Sequence, residues 1–317
     1  MAVATAMEPV DGQTRMTQKP PIIISASDEK YFPLLIDLLD SIRDWPHARG
    51  LLDLGLNESQ RRELRARGVI VAAAKWDIES PALHNAPPWF MAMTARPFLR
   101  DYFPNHNIYV WLDSDLWVQN MDAIADYMRV AESGALAITP EIDRCYWRFH
   151  KRAKLWGLQS KAMAWAYGFA AGNKLGKHVI LNAGAFALAH DAPHWDLWQA
   201  AMRRGLNRTS IWPRVKPWDK RIPQMIDQTA LSYVVYADRA KTGLLPAIYN
   251  WIAGLAAPLW DADRKCWAEP EPPHAALGLV HLAGCGKDRP IVAKTSDGGH
   301  IETLLTFAAT QKLKSAD

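Results

Sequence analysis

Tyr109-Val110-Trp111-Leu112-Asp113-Ser114-Asp115 is an apolar run that ends in two carboxylates one residue apart. The run is β-branched and aromatic, with no Gly or Pro inside it, and reads as a short buried strand. In extended chain, residues i and i+2 point to the same side. Asp113 and Asp115 can therefore converge on one point just past the strand end. Two converging carboxylates repel unless a cation lies between them, and oxygen ligands of this kind suit hard divalent ions such as Mg²⁺ or Mn²⁺, which in turn hold substrate phosphates. An Asp-x-Asp is also a common solvated turn, and its spacing leaves both readings open.

Working outward, strands and helices alternate through the first half. Pro21–Ser25 reads as a strand, followed by the polar turn Ser27-Asp28-Glu29-Lys30. Tyr31–Arg43 has helical spacing, with Phe32, Leu35, Ile36, Leu39 and Ile42 on one face. Leu51–Leu54 is a second strand, Asn57–Gly68 a short charged helix with Asn57 as N-cap, Val69–Ala73 a third strand and Met91–Phe103 a helix. This alternation predicts an α/β fold with a mostly parallel sheet and helices on both faces. Ligands of such sheets sit at the carboxyl ends of strands, so the turn after Ser25 and the Asp-Ser-Asp turn are expected to face one site.

The second half is different. Residues 142–178 carry Arg144, Arg148, Lys151, Arg152, Lys154, Lys161, Lys174 and Lys177 against a single acid, Asp143, and are expected to contain helix. Ile180–Ala189 returns to strand character. Arg203–Arg221 reads as a basic loop bearing Trp212 and Trp218, Leu231–Ala237 as a helix, Ala276–Leu282 as a late strand, and the chain from Thr303 as a short amphipathic segment.

The chain has 317 residues and a net charge of +4, enough length for a sizeable core and no strong polyelectrolyte bias. Its fifteen Trp exceed ordinary usage, for which core packing is the default and sugar or membrane-edge contact the alternative. Cys145, Cys266 and Cys285 are widely spaced and form neither a metal pattern nor an evident disulfide framework, which fits a reducing compartment. No run reaches the length of a membrane span. Residues 1–20 lack an apolar core and read as a disordered lead-in. The expected location is cytoplasmic, with the inner face of the membrane open.

Several blocks occur in a telling order: Ile24-Ser-Ala-Ser-Asp28-Glu-Lys-Tyr31, Asp53-Leu-Gly55-Leu, Arg96-Pro-Phe-Leu-Arg100, Asp113-Ser-Asp115, Leu181-Asn-Ala-Gly184-Ala-Phe186, Asp227-Gln-Thr-Ala-Leu231 and His281-Leu-Ala-Gly284-Cys-Gly-Lys287. Together they resemble the family 8 glycosyltransferases, retaining enzymes of the GT-A fold that include bacterial lipopolysaccharide galactosyl- and glucosyltransferases and glycogenin. The resemblance implies a Rossmann-like mixed sheet flanked by helices, in one large domain over 21–300. Residues 21–120 would form the nucleotide half and 121–300, with its helical and basic insertions, the acceptor and sugar half. Residues 301–317 would be a C-terminal tail.

At the matching positions, the resemblance makes Asp113, Asp115 and His281 metal ligands. An imidazole beside two carboxylates favours Mn²⁺ over Mg²⁺. Ala26, Asp28 and Tyr31 would contact uracil and ribose, Tyr31 offering a face for stacking, and Ser114 would reach the ribose. Arg96 would reach the donor sugar or a phosphate, unless it is a surface arginine on a helix. Gly284 would let the backbone approach the diphosphate, and Lys287 would donate to it. Asn182, Ala183, Asp227 and Gln228 would close the sugar pocket, with Asp227 and Gln228 as the catalytic residues: Gln228 near the anomeric carbon, stabilising the cationic sugar through its carbonyl oxygen, and Asp227 a nucleophile only after rearrangement. Three positions depart from the family's pattern: Lys30 where Asn is frequent, Ser232 for an Asn, and Lys287-Asp-Arg-Pro290 for Lys-Pro-Trp.

The implied activity is metal-dependent transfer of a hexose from a UDP-sugar, with retention, to a glycan or glycolipid acceptor. The basic, Trp-bearing segments point to an anionic or lipid-linked acceptor and to peripheral contact with a membrane. One rival is a nucleotidyltransferase on the same fold. Another is a non-catalytic protein binding anionic glycans or nucleic acid through the basic segments, although nucleic acid is not the expected partner.

Overall fold

A computed structural model describes residues 19–84, 86–149, 152–209 and 225–315. The strands in chain order are β1 (Ile22–Ser27), β2 (Ala48–Asp53), β3 (Ile70–Ala73), β4 (Ile108–Leu112), β5 (Leu116–Val118), β6 (Leu136–Pro140), β7 (Leu181–Ala189), β8 (Thr242–Leu244), β9 (Trp251–Ile252), β10 (Leu259–Asp261), β11 (Cys266–Ala268), β12 (Leu279–His281), β13 (Ile291–Lys294) and β14 (His300–Thr303). Seven of them form one sheet, ordered β3-β2-β1-β4-β7-β6-β8. Only β7 runs against the others in it. The expected mixed α/β sheet flanked by helices is therefore the architecture observed.

The quoted stretch supplies its centre. All five residues of β4 are buried, as a strand covered on both faces requires. Ile22, Ile24, Tyr109, Trp111 and Phe186 pack into the core on one face of the sheet; Ile23, Val110, Leu112, Ala185 and Ala187 pack into the core on the other. The alternation follows from the strand period of two. Trp111, Trp117, Trp195, Trp198, Trp251 and Trp267 are all fully buried, so these six tryptophans are core.

Because β7 is antiparallel to β4, its beginning lies at the carboxyl end of β4. Leu112 pairs with Ala185, and the Asp113 N–H donates to the Gly184 carbonyl at 2.8 Å. A second, three-stranded sheet, β5-β12-β9, starts straight after the Asp-Ser-Asp turn. There His281 pairs with Leu116, and the Leu282 N–H donates to the Asp115 carbonyl at 2.9 Å. That pairing carries the last motif of the chain to the first carboxylates.

Local expectations hold with particular corrections. Asn57 caps the helix Glu58–Ala66 in a reciprocal capping box with Gln60. The expected helix over 91–103 is broken into Met91–Ala95, a 3₁₀ turn Arg96–Phe98 and Leu99–Tyr102, since Pro97 has no N–H to donate and its ring crowds the preceding turn. Residues 203–209, expected as loop, belong to the helix His194–Thr209, whose Met202 and Leu206 are buried. The helix expected from Leu231 starts earlier, at Ile226, which places Asp227 and Gln228 in its first turn. The rest of the expected basic loop, 210–224, lies outside the described residues. Residues 301–317, expected as a tail, join the body as far as Ser315. β14 pairs with β13, the Leu305 carbonyl accepts from Trp117 Nε1 at 2.7 Å, and Thr310 Oγ1 accepts from Trp267 Nε1 at 2.9 Å.

Candidate active site

A cavity of about 620 Å³ opens at the carboxyl ends of β1, β2 and β4. Both expected turns face it. Ala26 comes from the end of β1, Asp28, Lys30 and Tyr31 from the turn after it, and Asp113, Ser114 and Asp115 from the turn after β4; Gly284 and Lys287 come from the loop after β12. Leu54, Trp89, Ala92, Met93, Arg96 and Trp111 also line it.

The carboxylates do converge. Ligand atoms of Asp113, Asp115 and His281 lie within 4.8 Å of one another. His281 Nε2 is 3.4 Å from Asp115 Oδ1 and 4.0 Å from Asp113 Oδ2. Their side chains are 25 %, 11 % and 3 % exposed for Asp113, Asp115 and His281, so the cluster is a cavity wall with its histidine behind. Two carboxylates and one imidazole are a donor set that fits a hard or borderline divalent ion, with room on the cavity side for other oxygens. Gly184 makes this approach possible, because a Cβ there would lie 2.4 Å from His281 Cε1 and 2.9 Å from Asp113 Oδ2. The Gly of the Asn182-Ala-Gly184 block thus makes room for the Asp113–Asp115–His281 cluster.

Two cations offset the acids. The buried Arg96 bridges Asp113 and Asp227 through its two terminal nitrogens and lies over the Trp111 ring, 4.9 Å from its centroid. It is 3 % exposed, which excludes the surface-arginine reading. Lys287 pairs with Asp115 and donates to the Tyr31 hydroxyl at 2.9 Å, with its ammonium 4.2 Å from the Tyr31 ring centroid. One face of the ring expected to stack on a base is therefore covered by Lys287.

These contacts set the protonation balance. Burial alone would raise the Asp115 carboxyl, but His281 and Lys287 outweigh it and hold it far below the usual carboxylate range. Burial would lower His281, yet Asp115 and Asp113 hold its imidazole above the usual histidine range. Lys287 is raised in the same way, Asp115 overcoming burial. For Asp227 burial prevails: it pushes the carboxyl up, and Arg96 pulls it back only in part.

Asn182, Ala183, Asp227 and Gln228 lie beneath this wall and do not line the cavity. Asp227 and Ala183 are each 1 % exposed. Asn182 Oδ1 accepts from the Gly184 N–H and from Asn250 Nδ2, both at 2.9 Å, and its Nδ2 donates to Glu141 Oε1 at 2.8 Å. Gln228 Nε2 donates to the same Glu141 oxygen at 3.3 Å, and its Oε1 accepts from the Ala183 N–H at 3.3 Å. Asn182, Ala183 and Gln228 form one layer with Glu141 behind the Asp113–Asp115–His281 cluster, and Asp227, next to Gln228 in the chain, pairs with Arg96.

Sequence reasoning missed Glu141, Asn250 and Trp89. Asn250 had a signal: a lone amide inside the apolar run Ala247-Ile-Tyr-Asn250-Trp-Ile. Glu141 and Trp89 had none, being ordinary residues beside a strand end and a Pro pair. A second cluster, Asp143, Cys145 and Glu269, also brings possible ligand atoms together. Glu269 there is paired with Arg144 at 2.5 Å, and burial with Asp143 nearby pushes the Cys145 thiol up to about 12, so it offers no thiolate at neutral pH.

No known family pattern matches the sequence, and no characterised protein matches it by sequence. Solved structures do match. They include the galactosyltransferase LgtC in complex with donor and acceptor sugar analogs, at 15% identity over 83% of this chain and 87% of that one, TM-score 0.45. Mouse xyloside xylosyltransferase 1 in its apo form matches at 11% identity over 84% and 97%, TM-score 0.46. The glycosyltransferase GlyE of Streptococcus pneumoniae TIGR4 matches at 14% identity over 95% of this chain and 61% of that one, TM-score 0.47.

Proposed function

We propose that this chain is a metal-dependent retaining glycosyltransferase of the GT-A type that moves a hexose from a UDP-sugar to a glycan or lipid-linked acceptor. The observation that carries the reading is the meeting of Asp113 and Asp115, backed by His281, on the wall of a cavity that Lys287 and the Ala26–Tyr31 segment also line. Residues far apart in sequence, each matched to a role by the resemblance, converge on one cavity.

In this reading Asp113, Asp115 and His281 hold Mn²⁺ or Mg²⁺, which when bound neutralises negative charge on the leaving diphosphate. Lys287 moves between Asp115 and a phosphate oxygen, and its hydrogen bond to Tyr31 keeps it at the cavity mouth. Gly284, at φ +72°, turns the loop so that its backbone faces the diphosphate. Asp28 Oδ1 accepts the Tyr31 N–H at 2.9 Å and so shapes the turn that would seat the nucleoside, with Ala26 and Ser114 beside it. Trp89 adds an aromatic wall.

The sugar develops oxocarbenium character as the diphosphate leaves. A carboxylate nucleophile would have to reach the anomeric carbon. Asp227 is buried and paired with Arg96, and Gln228 is an amide held by Glu141 and Ala183. This arrangement supports front-face attack, in which the acceptor hydroxyl enters on the side of the departing phosphate oxygen, which takes its proton. The basic segments 142–178 and 203–221 support an anionic acceptor or a membrane-borne one. In the former, Lys161, Phe169, Lys174 and Lys177 are exposed. The side chains of Arg148, Lys151 and Arg152, and all of Arg214 and Lys216, lie outside the described residues.

The test is a panel of nucleotide sugars with Mn²⁺, scored by thermal shift and by UDP release. A donor should raise the melting temperature and be slowly hydrolysed, and Asp113→Ala, Asp115→Ala, His281→Ala or chelator should each nearly abolish both responses. Pyrophosphate release would instead identify a nucleotidyltransferase, and turnover unaffected by chelator would refute the metal reading.

A further inference from the structure

The hydrogen-bond chain behind the metal-ligand cluster determines which nitrogen of His281 carries its proton. The Gly184 N–H can only donate, so the Asn182 atom 2.9 Å from it is the oxygen. The other end of the Asn182 amide is then the nitrogen, and it faces a Glu141 carboxylate oxygen at 2.8 Å. An amide set the opposite way round would be wrong at both contacts. With Asn182 so fixed, the Asn250 atom 2.9 Å from its oxygen must be a nitrogen. The remaining Asn250 atom is an oxygen, 2.9 Å from His281 Nδ1. Nδ1 must therefore carry a hydrogen, and Nε2 is the nitrogen that faces Asp113 and Asp115.

We propose that Asn250 is the positioning residue that holds His281 in the Nδ1–H tautomer and aims Nε2 at a divalent cation on Asp113 and Asp115. The inference rests on the metal reading of this cluster. Asn250 is 1 % exposed and His281 2 %, so no bulk water substitutes for the contact. Backbone pairing holds both residues in place. Asn250 immediately precedes β9, Ile252 pairs with His281, and the Ala253 N–H donates to the His281 carbonyl at 2.9 Å. A ligating histidine whose second nitrogen is fixed in this way is held in ring orientation as well as tautomer, and loss of such a partner typically weakens metal binding about 10–100-fold.

Two substitutions separate positioning from mere packing. Asn250→Leu keeps the volume and removes the acceptor. Asn250→Asp keeps an acceptor for Nδ1–H but sets a carboxylate oxygen against Asn182 Oδ1, so it costs stability. ¹⁵N–¹H correlation of the His281 ring in the metal-free protein, recorded at a pH alkaline enough for the ring to be neutral, should show Nδ1 protonated in the wild type and in Asn250→Asp, and a mixture of tautomers in Asn250→Leu. Mn²⁺ titration should show affinity close to wild type in Asn250→Asp and a loss of about 10–100-fold in Asn250→Leu. Affinity that instead tracks unfolding midpoints in both variants, or an Asn250→Leu protein that binds Mn²⁺ as the wild type does, overturns the proposal. If Asn250→Leu fails to fold, a wild-type His281 protonated at Nε2 alone still overturns it. Wild-type protein that does not bind Mn²⁺, or binds it unaffected by Asp115→Asn, overturns the metal reading and this inference with it.

Discussion

Gly184→Ala is a one-carbon perturbation aimed at the point where three motifs touch. The added Cβ would lie 2.4 Å from His281 Cε1, 2.8 Å from Asn182 Oδ1 and 2.9 Å from Asp113 Oδ2. Relaxed carbon contacts need about 3.5–4.0 Å, so His281 and Cβ, 2.4 Å apart, must separate by about 1.1–1.6 Å. None of the three neighbours yields easily. The His281 ring is held through Nδ1 by Asn250, Asn182 is hydrogen-bonded at both ends of its amide, and Asp113 Oδ1 accepts from Trp111 Nε1 at 2.8 Å and from Arg96. Overpacking at such a site costs about 1–3 kcal/mol of stability. The effect on function is larger, since ligand distances tolerate only about ±0.2 Å and a 1 Å misplacement costs on the order of 100-fold in rate. Mn²⁺ titration, UDP-sugar turnover and urea unfolding should be measured on the same preparations. Gly157→Ala is the control: nothing lies within 4 Å of its added Cβ, and within the helix Arg152–Tyr167 alanine should stabilise by up to about 1 kcal/mol. A Gly184→Ala protein with wild-type Mn²⁺ affinity and turnover would refute the claim that close packing of β7 against His281 and Asp113 sets the site.

Arg96→Met strands the buried Asp227 carboxylate and should lower stability by about 3–5 kcal/mol in urea unfolding, with much of the loss recovered in Arg96→Met/Asp227→Leu; an unchanged midpoint in the single variant would show that the pair contributes nothing. Gln228→Ala should slow transfer modestly, because it loosens the hydrogen-bonded layer of Glu141, Asn182 and Ala183 behind the site and removes no covalent step, whereas trapping a glycosyl adduct on Asp227 or Gln228 by mass spectrometry would overturn front-face attack. His194 is fully buried, its Nε2 2.9 Å from the Lys241 carbonyl, and burial holds its pKa below the usual histidine range. Above pH of about 6.5 it is neutral folded or unfolded, and as pH falls below that value the unfolded chain takes up the proton first. Its contribution is therefore present above pH of about 6.5 and lost on acidification toward the folded pKa. His194→Phe should flatten the fall in unfolding midpoint between pH 7 and 5, and an unaltered slope would exclude this residue as a cause.

The sequence by itself determined the parts whose physics is local. A continuous apolar run predicted the buried β4, the strand period of two predicted that Asp113 and Asp115 converge, and Asn57 predicted a capped helix start, because neighbours along the chain decide each of these. The order of the blocks was equally legible, and the resemblance it carries implied that Asp113, Asp115 and His281 meet and that Lys287 faces the same site. Tertiary structure decided what those residues touch. His281 reaches Asp115 because β12 pairs with β5 in one register, and no local pattern near residue 281 encodes that register. Arg96 was open between surface and site until its partner Asp227, 131 positions away, proved to be buried beside it. Asn250 and Glu141 became visible only through the hydrogen bonds that satisfy them, since a buried amide or carboxylate is assigned by its partners and those partners come from distant strands. Gly184 shows the difference in one residue. The chain reads it as a small residue after a strand; the fold makes it the gap through which an imidazole approaches a carboxylate, and the reason is a contact distance that exists only once β4, β7 and β12 have met.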